Sequence, residues 1–266
     1  MSSPTLSPDL TRAGGEVGYA LNRTLVITSR VLRQLSHDRR FLALSLVGPI
    51  VIVFFLKLFF DSLEGPGLVV SRYIVPVGAF IVHFLTYILC SLALVRERTS
   101  QTLARMFVNG FRRTEIILGY LLAYTLLATL QSLIVLVELA FFFNLNYSFG
   151  TQASIYLIIW LLAVISIALG IFLSNFARNE GQMLPTIPLI ILPSVFLSGM
   201  LIAVDKLPEW VQWISRLTPL FYANNVIQKL IKPNGNIGDD WGSFIGLLVY
   251  GLIIMLLASL TLQERE

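Results

Sequence analysis

Long apolar runs recur along this chain and constrain its fold more than any other feature. They lie at about residues 41–60, 73–95, 116–143, 152–176, 183–204 and 243–262. A run of about 20 apolar residues is long enough to cross the roughly 30 Å hydrocarbon core of a bilayer as an α-helix. Only 13% of the residues are charged, against about 25% in soluble domains. The sequence therefore predicts an all-α integral membrane protein with six transmembrane helices.

Lys and Arg are distributed unequally between the two sides of this predicted bundle. Thirteen of the nineteen lie in residues 1–40, 96–115, 177–182 and the C-terminal tail, whereas five lie in the alternate loops. Cytoplasmic loops carry the excess of Lys and Arg in membrane proteins. The count predicts a multi-pass protein of the cell (inner) membrane with both termini cytoplasmic. This bias explains the net charge of +4, so nucleic acid is not predicted as a partner.

The segment before the first span predicts an amphipathic helix. Residues 1–40 form a cytoplasmic tail in which the helical pattern covers 16–38, with one predicted apolar face made of Leu21, Leu25, Thr28, Leu32 and Leu35. A basic helix of this kind suits the inner membrane surface, where Arg meets anionic lipid. A solvated helix packed on a partner is the alternative.

The remainder of the chain divides into a transmembrane domain, 41–262, and a short cytoplasmic tail, 263–266. Within this domain, residues 205–242 contain Trp, Phe and Tyr between the prolines Pro208 and Pro219. Trp and Tyr favour the membrane interface, so the pattern predicts two short helices, 209–217 and 220–231, that re-enter the outer interface. Backbone at that depth must be covered by protein or line a wet cavity, which makes the segment a candidate external gate.

Few residues in the spans could support chemistry. Tyr124, Gln131 and Glu138 are spaced by seven and predict a polar stripe on the third span, on a substrate path or a dimer seam. Glu138 could instead be hydrated at the outer end of its span, or pair with Lys57. His83 is isolated from other ligand-type residues, so a helix–helix hydrogen bond is favoured over a metal site. We predict no metal site and no catalytic residue.

The basic segment between the second and third spans carries a recognisable motif. Residues 96–124 read RERTSQTLARMFVNGFRRTEIILGYLLAY, and this stretch resembles the permease signature of the type-2 family of ABC exporters. The matching residues are Glu97, Arg98, Thr102, Leu103, Arg112, Arg113 and Gly119. The departures are Gln101 where Gly is usual, Ala104 where Glu is usual, and Gly110 where Pro is usual.

A second stretch resembles the same family. Residues 196–231 follow its Ser-Gly, Leu-Pro-x-Trp and Pro-Leu pattern through Ser198, Gly199, Leu207, Pro208, Trp210, Pro219, Leu220 and residues 224–231. Ala203 stands where Pro is common. The two motifs lie in the family's order on the predicted sides, and the six-span plan covers nearly the whole chain.

The resemblance implies a half-transporter that dimerises with a second permease copy above two cytoplasmic ABC ATPase subunits. The ATPase-coupling residues it implies are Arg96, Glu97, Arg98, Thr102, Leu103, Arg105, Phe111, Arg112 and Arg113. The candidate external gate comprises Ser198, Gly199, Pro208, Trp210, Trp213, Pro219 and Tyr222. The chain contains no G-x-x-x-x-G-K-[ST] motif, so no cofactor is expected on it, and ATP and Mg would be bound by the partner ATPase.

The expected activity is export of a lipophilic or lipid-linked substrate by alternating access, because the spans carry few fixed charges to hold a charged solute. A drug-like molecule is the first expectation, and a polysaccharide or other lipid-linked glycan the second. An alternative from another class is an intramembrane hydrolase, which would need Glu138 and His83 at the same depth. An ion channel would need charged rings or a filter loop, and the sequence offers neither.

Overall fold

The computed structural model describes residues 8–62 and 70–261, and the regular structure in this part of the chain is helical. Its ten α-helices are α1 (Pro8–His37), α2 (Arg39–Ser62), α3 (Ser71–Thr99), α4 (Thr102–Val108), α5 (Arg113–Phe143), α6 (Phe149–Ser174), α7 (Glu180–Leu197), α8 (Glu209–Ser215), α9 (Pro219–Leu230) and α10 (Trp241–Thr261). Two 3-10 helices, Val204–Lys206 and Ile237–Asp240, add to these. Residues 1–7, the loop 63–69 and the tail from 262 lie outside the described residues. The predicted all-α fold is confirmed.

The predicted number of spans is also confirmed. Among the described residues, six helical segments are long and apolar enough to cross a membrane: Phe41–Ser62, Arg72–Thr99, Arg113–Phe143, Phe149–Ser174, Glu180–Leu197 and Ile237–Thr261. The fifth ends earlier than the predicted 204, because Gly199 has φ +79° and a left-handed residue does not continue a right-handed helix. The second extends beyond its apolar run, so the charged residues 96–98 are helical.

The centre of the bundle is the pair formed by α3 and α6, which make the most extensive helix contact. They approach closely at Gly170, where a Cβ atom would lie 3.1 Å from the carbonyl oxygen of Tyr87. The helices α2, α7 and α10 lie outside this pair and expose large apolar side chains such as Phe55, Leu189 and Leu260. Such surfaces are suited to lipid, which requires no polar partner from the side chains that it covers.

The predicted N-terminal amphipathic helix forms as α1, and it packs along α5 of the same chain. Only part of the predicted apolar face is buried within the protein: Thr28 and Leu35 are buried, whereas Leu21 and Leu25 are 59% and 58% exposed. The buried face is formed instead by Thr24, Ile27, Thr28, Val31 and Leu35. The reason is Gly119 on α5, where a side chain would begin only 2.6 Å from Cγ2 of Ile27. The bare backbone at Gly119 admits Ile27 and so determines which face of α1 is buried.

The segment between α7 and α10 contains both predicted short helices. The predicted 209–217 corresponds to α8 and the predicted 220–231 to α9. One face of α9 is buried against α6 and α10, whereas α8 exposes Trp210 and Trp213, at 67% and 66%. Re-entry of these helices into the membrane interface stays a prediction.

Candidate functional site

The predicted coupling segment folds as the short helix α4 between two left-handed turns. Gln101 precedes α4 with φ 57°, and Gly110 follows it with φ 78°. Glycine, usual at position 101 in the resembled pattern, adopts such an angle without steric cost. Proline, usual at position 110, has φ fixed at about −65°. Gly110 therefore allows a turn that proline would forbid.

One face of α4 is buried and the other is exposed. Leu103 and Met106, at 3% and 7% exposure, point inward and hold α4 against the end of α3. The exposed residues, named here the α4 surface, are Ala104, Arg105, Val108, Asn109, Arg112 and Arg113. Within residues 101–115 the single acidic side chain is Glu115, which is buried and accepts a hydrogen bond from the backbone nitrogen of Arg112 at 2.8 Å. The α4 surface is therefore a basic patch.

Three consecutive residues at the end of α3 contact three other parts of the chain. Arg96 donates to Oε1 of Glu180 at the start of α7, at 2.8 Å. Glu97 accepts from Nη2 of Arg30 on α1, at 3.3 Å. Arg98 donates to the carbonyl oxygens of Ser174 and Ala177 and to Oδ1 of Asn175, at 2.5, 3.1 and 2.7 Å. Successive helical residues point about 100° apart, so one turn of α3 joins α1, the end of α6 and α7. We name this set the α3-end cluster.

A second set of contacts joins α1 to the turn that follows α4. The Arg23 guanidinium donates to the carbonyl oxygen of Gly110 at 2.7 Å and lies 5.6 Å from the ring centre of Phe111. It also lies 3.8 Å from the carboxylate of Glu115. Such a guanidinium over a ring is a cation–π contact. Both ends of α4 are therefore connected to α1. Arg23 contacts the turn after α4 directly, and Arg30 contacts the end of α3, which precedes α4.

Further hydrogen bonds fix α1 against α5 between these points. Thr28 Oγ1 donates to the carbonyl oxygen of Gly119 at 3.3 Å, and Arg30 Nη2 donates to the hydroxyl of Tyr120 at 2.6 Å. The sequence pattern alone predicted contact of the arginines of this helix with anionic lipid, and it gave Arg23 and Arg30 no contact within the chain. Their spacing of seven places them on one face two turns apart, which is the signal that could have identified them.

The nine predicted coupling residues occupy two kinds of environment. Arg105, Arg112 and Arg113 are exposed on the α4 surface. The others lie inward or contact this chain: Glu97 and Leu103 are buried, Thr102 and Phe111 are half-buried, and Arg96 and Arg98 belong to the α3-end cluster. Arg96 is exposed as well, with 57% of its side chain accessible, although it also binds Glu180. The role of all nine in coupling stays a prediction.

The predicted polar stripe on α5 faces the interior of this one chain. Tyr124, Gln131 and Glu138 are 3%, 1% and 9% exposed, so none is presented to a second copy in this conformation. Gln131 Oε1 accepts from Thr86 of α3 at 3.0 Å. Tyr124 lines a cavity of about 460 Å³ between α1, α2, α3 and α5, together with Arg96 of the α3-end cluster. The role on a substrate path stays a prediction.

Two expectations about single polar residues in the spans are settled. The suggested pairing of Glu138 with Lys57 is wrong, because Lys57 pairs with Asp61 one turn along its own helix, and neither carboxylate oxygen of Glu138 has a hydrogen-bond partner among the described residues. The predicted helix–helix bond of His83 is confirmed, since Nδ1 lies 2.6 Å from Oγ of Ser166 on α6. The hydrolase alternative would favour a hydrogen bond between His83 and Glu138, and no such bond joins these two residues.

The candidate gate residues lie at the opposite end of the bundle from α4. Ser198 accepts through its carbonyl oxygen from Nδ2 of Asn224 at 2.8 Å, and Gly199 turns the chain away from α7. Pro208 immediately precedes α8, and Pro219 is the first residue of α9, a position that favours proline. The Tyr222 hydroxyl donates to the carbonyl oxygen of Arg216 at 2.9 Å, and the indoles of Trp210 and Trp213 are exposed. A gating role for this set stays a prediction.

Comparison with known families identifies the protein family of this chain. A sequence profile described as "ABC-2 type transporter" matches residues 22–231. The chain belongs to the ABC-2 type transporter family. It is therefore a multi-pass membrane protein of a transport family, and the match extends from α1 through α4 to the end of α9.

Individual proteins named as ABC transporters or permeases are similar to this chain at low identity. The chain is 25% identical over 178 residues to ABC transporter G family member 20 of Dictyostelium discoideum, covering 66% of this chain and 24% of that protein. It is 23% identical over 186 residues to the probable multidrug ABC transporter permease YbhR of Escherichia coli K12, covering 70% and 50%. It is 23% identical over 160 residues to the linearmycin resistance permease protein LnrN of Bacillus subtilis, covering 60% and 41%. The chain thus spans half or less of each relative.

Proposed function

We propose that this chain is the membrane-spanning permease subunit of an ATP-driven ABC exporter, and that the α4 surface docks on a separate cytoplasmic ATPase. The observation that supports this proposal most is that one face of α4 is basic and exposed, whereas the opposite face is buried against the rest of the chain. Arg105, Arg112 and Arg113 point outward, whereas Leu103 and Met106 are buried. A patch of one sign steers and orients an oppositely charged partner surface.

Coupling requires that a displacement of α4 reach the spans. The α3-end cluster supports such a path, because Arg98 binds the end of α6 while Arg96 binds the start of α7. Arg23 and Arg30 extend the path to α1. In the proposed mechanism, ATP binding closes the ATPase pair and displaces α4. The connected helices then shift the bundle between inward-open and outward-open or laterally open arrangements.

The proposed assembly contains two permease copies, two ATPase subunits and the surrounding bilayer. A homodimer is the arrangement favoured by the resemblance. The excess of Lys and Arg on the α4 side favours a cytoplasmic position for both termini and for α4 in the cell (inner) membrane. ATP and Mg belong to the ATPase, and no cofactor is proposed on this chain.

The proposed substrate is lipophilic or lipid-linked, with drug-like molecules first. Two relatives are named as a probable multidrug permease and a linearmycin resistance permease, which favours this choice over the glycan alternative. The cavity beside Tyr124 supports it as well. Its lining combines apolar Phe41 and Leu89 with polar Tyr120 and Arg96, a combination that suits an amphiphile.

The test is association with the ATPase after double charge reversal on the α4 surface. The variant Arg112→Glu, Arg113→Glu is expected to bind the co-purifying ATPase about tenfold more weakly, because an attractive contact becomes repulsive. The matched control is Arg39→Glu, Arg178→Glu, which changes the same charge at exposed residues outside the α4 surface. ATPase activity of the reconstituted complex provides the second readout.

Two results would contradict the proposal. If the wild-type protein binds no ATPase when it is extracted under native conditions, the proposed ATP-driven mechanism is wrong. Equal loss of ATPase binding in the control and in the α4 variant would show that net charge, and not the α4 surface, determines the association.

A further inference from the structure

A second cavity lies at the end of the bundle opposite α4. It has a volume of about 800 Å³ and is lined by residues from the start of α3, the 3-10 helix Val204–Lys206 and α9. Its polar lining includes Gln212, Asn225 and Gln228. Because α3 runs from this cavity at Arg72 to the α4 end at Thr99, the two sites lie a full span apart.

Positive charge predominates in the lining of this cavity. Arg72, Lys229 and Lys232 line it together with a single carboxylate, Asp205. Within residues 8–62 and 70–261, none of these three cations forms an ion pair. Clefts lined by one sign of charge concentrate ligands of the opposite sign. The cavity therefore favours an anion.

Asn224 supplies an independent indication of a ligand. Its side chain lines the cavity and is 2% exposed. Nδ2 donates to the carbonyl oxygen of Ser198 at 2.8 Å, but Oδ1 has no hydrogen-bond partner among the described residues. Buried polar atoms in folded proteins are nearly always hydrogen-bonded. This oxygen can only accept a hydrogen bond and has less than 1 Å² of accessible surface, so a ligand donor reaches it only when the Asn224 side chain turns toward the cavity.

We propose that this cavity binds an anionic group that also carries a hydrogen-bond donor. A phosphate group meets both conditions when it bears a proton or adjoining hydroxyls. The anion contacts Arg72, Lys229 and Lys232, and the Asn224 side chain turns so that Oδ1 accepts a hydrogen bond from the ligand's donor. Two sources share this chemistry: a soluble phosphate compound, and the headgroup of an anionic lipid such as phosphatidylglycerol. The site is separate from the α4 surface, so the inference does not depend on the proposed ATPase partner.

The first test measures inorganic phosphate binding to the full chain in phosphatidylcholine nanodiscs, by the ligand-dependent rise in the midpoint of thermal unfolding. Lys229→Gln and Lys232→Gln are each expected to weaken phosphate binding about three- to tenfold, through loss of a charge-assisted contact. The matched control is Lys206→Gln, which removes an exposed lysine of the adjacent 3-10 helix that does not line the cavity. It should leave the affinity unchanged.

Sulfate tests the role of Asn224 without any mutation. At pH 7 sulfate has a charge like that of phosphate but carries no proton, so it has no donor for Oδ1. Phosphate is expected to bind about two- to tenfold more tightly than sulfate, the effect of one hydrogen bond. Equal binding of both anions would overturn the assignment of Asn224 as a ligand contact.

The lipid source is tested by native mass spectrometry of protein released from mixed phosphatidylglycerol and phosphatidylcholine nanodiscs. Retention of phosphatidylglycerol that falls in Lys229→Gln and Lys232→Gln, but not in Lys206→Gln, assigns the site to a headgroup. Phosphate binding with the same dependence, without selective lipid retention, assigns it to a soluble anion. If neither ligand distinguishes the cavity variants from the control, the proposal is overturned.

Discussion

The contact between Gly119 and Ile27 allows a quantitative test of how α1 is held. A Cβ atom at Gly119 would lie 2.6 Å from Cγ2 and 2.7 Å from Cβ of Ile27, and 3.2 Å from the carbonyl oxygen of Thr24. Two of these atoms are Cβ or backbone, so a rotamer change cannot relieve the overlap. In the variant Gly119→Ala, α1 must move away from α5, and the bond from Thr28 to the carbonyl oxygen of Gly119, already 3.3 Å, is lost first.

The expected magnitude follows from the kind of overlap. Inserting one methyl group into a tightly packed contact costs about 1–3 kcal/mol. The gain of about 1 kcal/mol from replacing Gly by Ala in a helix belongs to α5, which is helical whether or not α1 is docked. Docking of α1 onto α5 is therefore weakened by the full cost of this packing overlap. The open population of α1 should rise roughly 5- to 150-fold, at about 1.4 kcal/mol per tenfold change.

Hydrogen exchange of the α1 backbone amides measures this population directly. Exchange over residues 24–31 should accelerate by the same factor in Gly119→Ala, while the amides of α6 should be unaffected. The matched control is Gly18→Ala, because Gly18 lies on α1 and a Cβ atom there would have no neighbouring atom within 4 Å. That variant should slow exchange or leave it unchanged. Equal or slower exchange in Gly119→Ala would refute the close-approach argument.

Two further predictions concern the residues around α4. Gln101→Gly should raise the free energy of unfolding by about 0.5–1 kcal/mol, because φ 57° is strained for glutamine and not for glycine. Thermal unfolding measures this gain. The control Gln101→Ala should show no such gain. Arg30→Ala and Glu97→Ala should show a coupling energy of about 1 kcal/mol in a double-mutant cycle, since the guanidinium side is 36% exposed and solvent weakens the pair. A coupling near zero would remove this contact from the proposed path.

The elements of the fold that depend on local pattern could be predicted. Apolar runs identified the six spans because membrane length alone selects them, and Pro208 and Pro219 marked the starts of α8 and α9. Charged residues placed the segment 96–115, which contains α4, between two spans. Each of these inferences needs only neighbouring residues, and each is local in the structure as well.

The orientation of α1 could not be predicted in the same way. Leucines suggested one face, but the buried face depends on the bare backbone of Gly119, 91 residues from Thr28 in sequence. Arg30 turns inward because its partners, Glu97 and Tyr120, lie on α3 and α5. The error about Lys57 has the converse cause, since Asp61 one helical turn away supplies a nearer partner than Glu138. Sequence periodicity reveals neither the distant residues that a side chain contacts nor the nearer residues that compete for the same contact.

The contacts that hold α1 also set an order for biogenesis. Arg30 and Glu97 are 67 residues apart, and Arg23 and Gly110 are 87 apart. At a synthesis rate of about 5–20 residues per second, the partners of α1 emerge roughly 3 to 17 s after α1 itself. During that interval lipid is the available cover for the apolar face of α1. We therefore expect the nascent helix to rest on the membrane surface first and to dock onto α5 after the third span has been inserted.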